Sequence, residues 1–177
     1  MNSLRTALLA AALAPLTLVG AAQEPLLSPA ATAETTLAGK PVTIHYNSPA
    51  KRGRVIMGGL VPYGQVWRTG ANPATTLITA TDLKIGTLDV PAGTYTLYTL
   101  PAAHGTPWLL IVNKQTGQWG TEYHQEQDLG RTPLHFDKLA APQESMSISF
   151  EKTTARSTEL HVKWETTDEW VKVEAAK

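Results

Sequence analysis

The sequence contains no cysteine. That absence excludes thiol catalysis, thiolate metal sites and disulfide staples, so the core must hold by packing alone. There is no excess of charge either, because Lys plus Arg and Asp plus Glu both number 15. A neutral balance creates no long-range field to steer the chain toward nucleic acid or an anionic membrane. Nucleic acid is therefore not an expected partner. Missing too are the common catalytic signatures: a Gly-x-Ser-x-Gly elbow, a His-Glu-x-x-His helix and a phosphate-cradling glycine loop ahead of a lysine. No cofactor and no metal are assigned. Long apolar runs are absent beyond the first residues.

Those first residues, MNSLRTALLAAALAPLTLVGAA, have the layout of a signal peptide. Arg5 supplies the positive start, Thr6 to Val19 the apolar run, and Gly20, Ala21 and Ala22 a small-residue cleavage site. The run is too short and alanine-rich for an anchor, which needs about 20 strongly apolar residues. Residues 1–22 are thus expected to direct export to the periplasm or beyond, with no membrane insertion after cleavage. Residues 23–38 mix Pro, Ala and Thr without periodicity and read as a flexible tether or a loosely attached first strand. The remainder, residues 39–174, is one domain's worth of chain.

Alternation sets the fold class. Val42, Ile44 and Tyr46 alternate with Thr43 and His45, and TTLITAT and TYTLYTL carry the β-branched and aromatic residues that suit a pleated surface. Gly86 with Thr87 marks a tight hairpin, and Pro91, Ala92 and Gly93 a second turn. WLLIV, residues 108–112, is apolar on both faces, as a central covered strand would be. From Gln143 to Lys177 neither Gly nor Pro forbids a helix. Yet Met146, Ile148 and Phe150 alternate with serines, and Leu160, Val162 and Trp164 with His161 and Lys163. Glu165 to Glu169 reads as a hairpin turn returning through Trp170, Val171 and Val173. The prediction is an all-β domain, a single antiparallel β-sandwich or barrel-like body of eight or nine strands. The one helical turn expected after the leader lies around Val55 to Leu60.

The histidines are His45, His104, His124, His135 and His161. His45 and His161 fall on the polar faces of their strands and are expected at the surface. Glu122, His124, Glu126 and Asp128 could share one face of an extended segment, and carboxylates beside imidazole suit a divalent ion. The plainer reading of EYHQEQD is a solvated polar loop, because no second His stands at a fixed short spacing.

The densest chemistry lies in GGLVPYGQVWRTGANPATTL, residues 58–77. Arg68 is a planar fork that can grip a carboxylate or phosphate through two parallel hydrogen bonds. Asn72 offers donor and acceptor together, and Tyr63 and Trp67 are flat platforms suited to sugars or rings. Arg52 and Arg54 are possible anion contacts if the fold returns them nearby. The alternative is an Arg68 tied to loop carbonyls and a carboxylate, with Trp67 as core.

The stretches RGRVIMGGLVPYGQVWRTGANPATT, LKIGTLDVPAGTYTLYTLP and WLLIVNKQTGQWG, with the strands around ISFE and LHVKWE, carry a family resemblance. The chain resembles the bacterial exported domain-of-unknown-function family 2911 (DUF2911) over about residues 40–165. Arg54, Pro62, Tyr63, Gly64, Trp67, Arg68, Gly70, Asn72, Thr75 and Thr76 fall on its signature. So do Gly93, Tyr95, Pro101, Asn113, Gln118, Trp119 and Gly120, while Asp128 and Arg131 approximate a later acidic–basic pair. The segment after Gly120 departs from the family pattern, which further weakens a metal site there. The resemblance implies secretion and one compact domain and carries no activity.

The leading expectation is a module for a small polar or carbohydrate-like ligand. Arg68 and Asn72 would orient it, Tyr63, Trp67 and Trp119 would cover its apolar face, and Asn113 and Gln118 would complete the rim. The alternatives are an envelope structural or interaction domain, and a cofactor-free hydrolase or isomerase. In the last, His124 or Asp128 would be the base and Arg68 would hold a developing anion.

Overall fold

The computed structural model describes residues 27–103 and 105–176. The predicted leader over residues 1–22 and His104 lie outside the described residues.

Among the described residues ten antiparallel strands, where eight or nine are expected, form the two layers that the alternation predicts. The larger sheet runs β1 (Ala30–Leu37), β2 (Lys40–Asn47), β3 (Thr76–Thr79), β6 (Gly93–Leu100), β7 (Leu109–Asn113), β8 (Asp128–Pro133). The smaller runs β5 (Leu88–Val90), β4 (Leu83–Ile85), β10 (Ser157–Ala175), β9 (His135–Glu151). The sheets do not close on each other, so the body is a sandwich. Its core lies between them, with Val42, Ile44, Leu77, Leu97, Leu110 and Val112 meeting Ile85, Met146, Ile148, Val162, Trp164 and Val173. Burying each such side chain stabilises the fold by about 1.5–3 kcal/mol, which replaces the missing disulfides.

Four local readings need correction. The flexible segment over 23–38 holds a strand: residues 30–37 pair along their whole length with β2. Only Ala33 and Leu37 of that strand are buried apolar residues, so small side chains hide the alternation. The helical turn expected at Val55 to Leu60 is a wide loop instead. Leu60 and Val61 donate their amides to the Val55 and Ile56 carbonyls at 3.1 and 2.9 Å, and Gly58 at φ 79° interrupts the helical path. A 3₁₀ turn forms at Gln125–Gln127. His161, expected at the surface, is 4% exposed.

β10 explains that last burial. A straight strand rises about 3.3 Å per residue, so positions seven apart should be about 23 Å distant. Yet His161 Nδ1 lies 2.8 Å from Asp168 Oδ1, and the Ala175 amide donates to the Arg156 carbonyl at 2.8 Å. The strand therefore doubles back on itself, with Glu165 at φ 53° in the tip, where the sequence places its turn. β9 wraps round this tip. It pairs with one arm through Ser147–Glu151 and with the other through His135–Lys138. The cross-strand faces bring His161, Asp168, Glu159, Lys163 and Glu151 into one satisfied cluster, with Trp170 stacked between His161 and His135.

Candidate functional site

The Tyr63-to-Asn72 loop owes its shape to backbone conformations that few residues tolerate. Thr69 sits at φ 51° and Asn72 at φ 59°. Asn visits this left-handed region readily, but a β-branched residue there is strained by about 1–3 kcal/mol. The strain persists because Thr69 is fully buried and gripped: its hydroxyl reaches Thr99 Oγ1 at 3.2 Å, and the Thr75 hydroxyl donates to its carbonyl at 2.9 Å. Trp67 exchanges backbone hydrogen bonds with Thr99 at 2.8 and 2.9 Å, extending the sheet beside β6. Trp67 also stacks on Trp164, with ring centroids 5.9 Å apart. Arg68 is fixed between these two anchors.

The result is a cleft of about 440 Å³ lined by Arg52, Arg54, Arg68, Trp67, Asn72, Tyr98, Tyr123 and Trp164. Arg54 spends its Nε and Nη2 on the Lys51 and Ala50 carbonyls at 3.0 and 2.7 Å, and Arg52 donates to the Leu27 carbonyl. Arg68 has no hydrogen-bond partner among the described residues. Within 4.0 Å of these three guanidinium groups there is no carboxylate among the described residues. Burial pulls the Arg68 pKa down, with no acidic neighbour to offset it.

The contrast with Arg131 is informative. Its Nε donates to Asp128 Oδ2 at 3.0 Å, and its Nη2 to the Tyr123 hydroxyl at 2.7 Å. That hydroxyl in turn donates to Asp128 at 2.7 Å, and burial together with Asp128 pushes the Tyr123 pKa up to about 12. The structure thus neutralises one arginine at the back of the cleft and leaves Arg68 at the front unpaired.

Several sequence candidates take other places. Asn113 is buried behind the cleft, donating to Asp128 Oδ1 at 2.9 Å and the His124 carbonyl at 3.0 Å. Gln118 donates to the Tyr98 hydroxyl at 3.0 Å and so holds a cleft residue from behind. Trp119 is 49% exposed and bridges to Pro73 outside the lining. Tyr63 lines a different cavity. His124 pairs with Glu126 at 3.2 Å on the surface, and neither His124 nor Asp128 faces the cleft as a base. The sequence marks none of Tyr98, Tyr123 and Trp164 as lining. Alternation assigned Trp164 to the core, and no spacing signal links the other two to Arg68.

The model of DUF2911, described as a protein of unknown function, matches residues 28–173. The chain belongs to this family. No curated protein and no solved structure matches it. The match begins at Ser28, so the DUF2911 domain takes in β1, which the sequence boundary at residue 39 leaves out.

Gly120 tests how tightly this DUF2911 cleft is built. A Cβ there would stand 2.6 Å from Arg68 Cδ and 2.9 Å from the Asn72 carbonyl oxygen. Gly120→Ala should cost about 1–3 kcal/mol through overpacking, read as a lower urea midpoint. An unchanged midpoint would mean that Arg68 is loose.

Proposed function

We propose that this chain is an exported module binding a small ligand that carries a carboxylate or phosphate on a ring or sugar-like body. The reading rests on one observation: Arg68 lines an aromatic-walled cleft, half-buried and without a counterion among the described residues. A guanidinium partly withdrawn from water without a counterion gives up solvation, and an anionic ligand would supply the missing partner. Trp67 and Tyr123, both partly exposed in the lining, offer flat faces for the rest of the ligand, and the buried rings of Trp164 and Tyr98 back the wall. Export is proposed from the leader sequence. Among the described residues no helix is long and apolar enough to cross a membrane.

Thermal shift of the mature chain against succinate, gluconate, inorganic phosphate and neutral sugars tests the reading. The anions should raise the melting temperature more than the sugars, and Arg68→Ala should weaken anion binding ten- to a hundredfold. Equal shifts in wild type and Arg68→Ala would remove the guanidinium from the site. An envelope interaction domain is the second reading, favoured by exposed Val55, Leu60 and Trp119 around the same loops.

A further inference from the structure

The second cavity shares no lining residue with the arginine cleft. It holds about 340 Å³, at the small end of ligand sites. Its walls are apolar and aromatic, with Met57, Tyr63, Trp108, Leu134 and Phe136 among them, and Glu169 is its one carboxylate among the described residues. Glu169 lies on the inward face of the hairpin arm and is 2% exposed, and its Oε2 has no hydrogen-bond partner among the described residues. A buried polar atom left unpaired is rare in folded proteins and requires a cause.

We infer that this cavity is a binding site for a primary amine with a small apolar or aromatic body, its ammonium group held by Glu169. Charge decides the class. Among the described residues neither Lys nor Arg lines the cavity, and His135 is the sole basic group in its wall. Asp168, next in the chain, adds negative potential behind the carboxyl, although Lys163 stands 3.6 Å from that Asp. Tyr63, Trp108 and Phe136 present aromatic rings, whose faces attract cations. An ammonium group would give the Glu169 carboxylate a charged partner, while the apolar walls cover the body. Burial, reinforced by Asp168, raises the Glu169 pKa to about 8, so at neutral pH binding converts carboxylic acid to carboxylate and releases a proton.

Calorimetric titration with 2-phenylethylamine and its isostere 2-phenylethanol distinguishes charge recognition from simple apolar filling. Wild type should bind the amine at least tenfold tighter than the alcohol. At pH 7 it should release close to one proton per amine, read from the dependence of the heat on buffer. Glu169→Gln should abolish both the preference and the proton release. If Glu169→Gln fails to fold, Phe136→Ala at the exposed mouth should weaken the amine several-fold. Equal affinity for amine and alcohol, no binding of either, or a preference that survives Glu169→Gln would overturn the inference.

Discussion

Trp164→Ala should destabilise the protein by about 4 kcal/mol, the usual cost of emptying a large aromatic site in a packed core. Trp164 is 1% exposed and among the largest fully buried side chains. It does three jobs at once. It fills the space between the sheets near the hairpin tip, stacks on Trp67, and donates its Nε1 to the Glu144 carbonyl at 3.0 Å. For a domain of this size the loss corresponds to a fall in melting temperature on the order of 10 °C. Because Trp164 also lines the arginine cleft, the same variant should bind anions more weakly at temperatures where it remains folded. Trp164→Phe should keep most of the volume, recover more than half of the stability and leave the Glu144 carbonyl without its donor. A melting temperature within about 3 °C of wild type for Trp164→Ala would show that the two layers do not depend on this residue.

The second large effect concerns pH. The ordinary Glu value of 4.5 is raised at Glu169 by burial, with Asp168 behind it, to about 8 in the folded protein. Between those values the unfolded chain has lost this proton while the folded chain keeps it. The folded state therefore binds more protons, and stability must fall as pH rises through the window. The expected loss is about 3 kcal/mol, part of the full shift being screened where the cavity opens to solvent. Other groups act elsewhere. The bond from Lys163 lowers the Glu151 pKa and the bond from Lys152 lowers that of Glu159, so their contributions fade only as pH drops below the ordinary carboxylate range. Urea unfolding at a series of pH values from about 4.5 to 8.5 reads the slope directly, and Glu169→Gln should remove most of it. A wild-type curve as flat as that of the variant would place Glu169 in contact with water.

Much of the fold is legible because period-two alternation survives in strands with one covered face. β2, β3, and the Ser145–Phe150 and Leu160–Trp164 runs show it plainly, and WLLIV shows the continuous apolar run of a strand covered on both sides, as β6 also is from Tyr95 to Thr99. β8 and the first half of β9 do not. DLGRTP contains Gly and Pro and is mostly half-buried, and HFDKLAAP is mostly exposed, so neither segment has an apolar side to betray it.

The candidate cleft was legible in part. Arg68, Trp67 and Asn72 announce themselves by chemistry in one loop, and the fold does return Arg52 and Arg54 to them. Asn113 and Gln118 were legible as residues with a task, but their side chains point into the network behind the cleft. Glu169 could not be read at all. In the sequence it belongs to a polar turn, and only the reversal of β10 turns it toward the interior.

That reversal also governs how the molecule meets its own copies. A two-stranded projection ordinarily offers its outer N–H and C=O groups to any extended stranger, the usual seed of edge-to-edge aggregation. Here Ser147–Glu151 occupies the outer side of one arm, and His135–Lys138 with Leu83–Ile85 that of the other. The longest extended element among the described residues thus carries its own guard rails and is closed to strand addition.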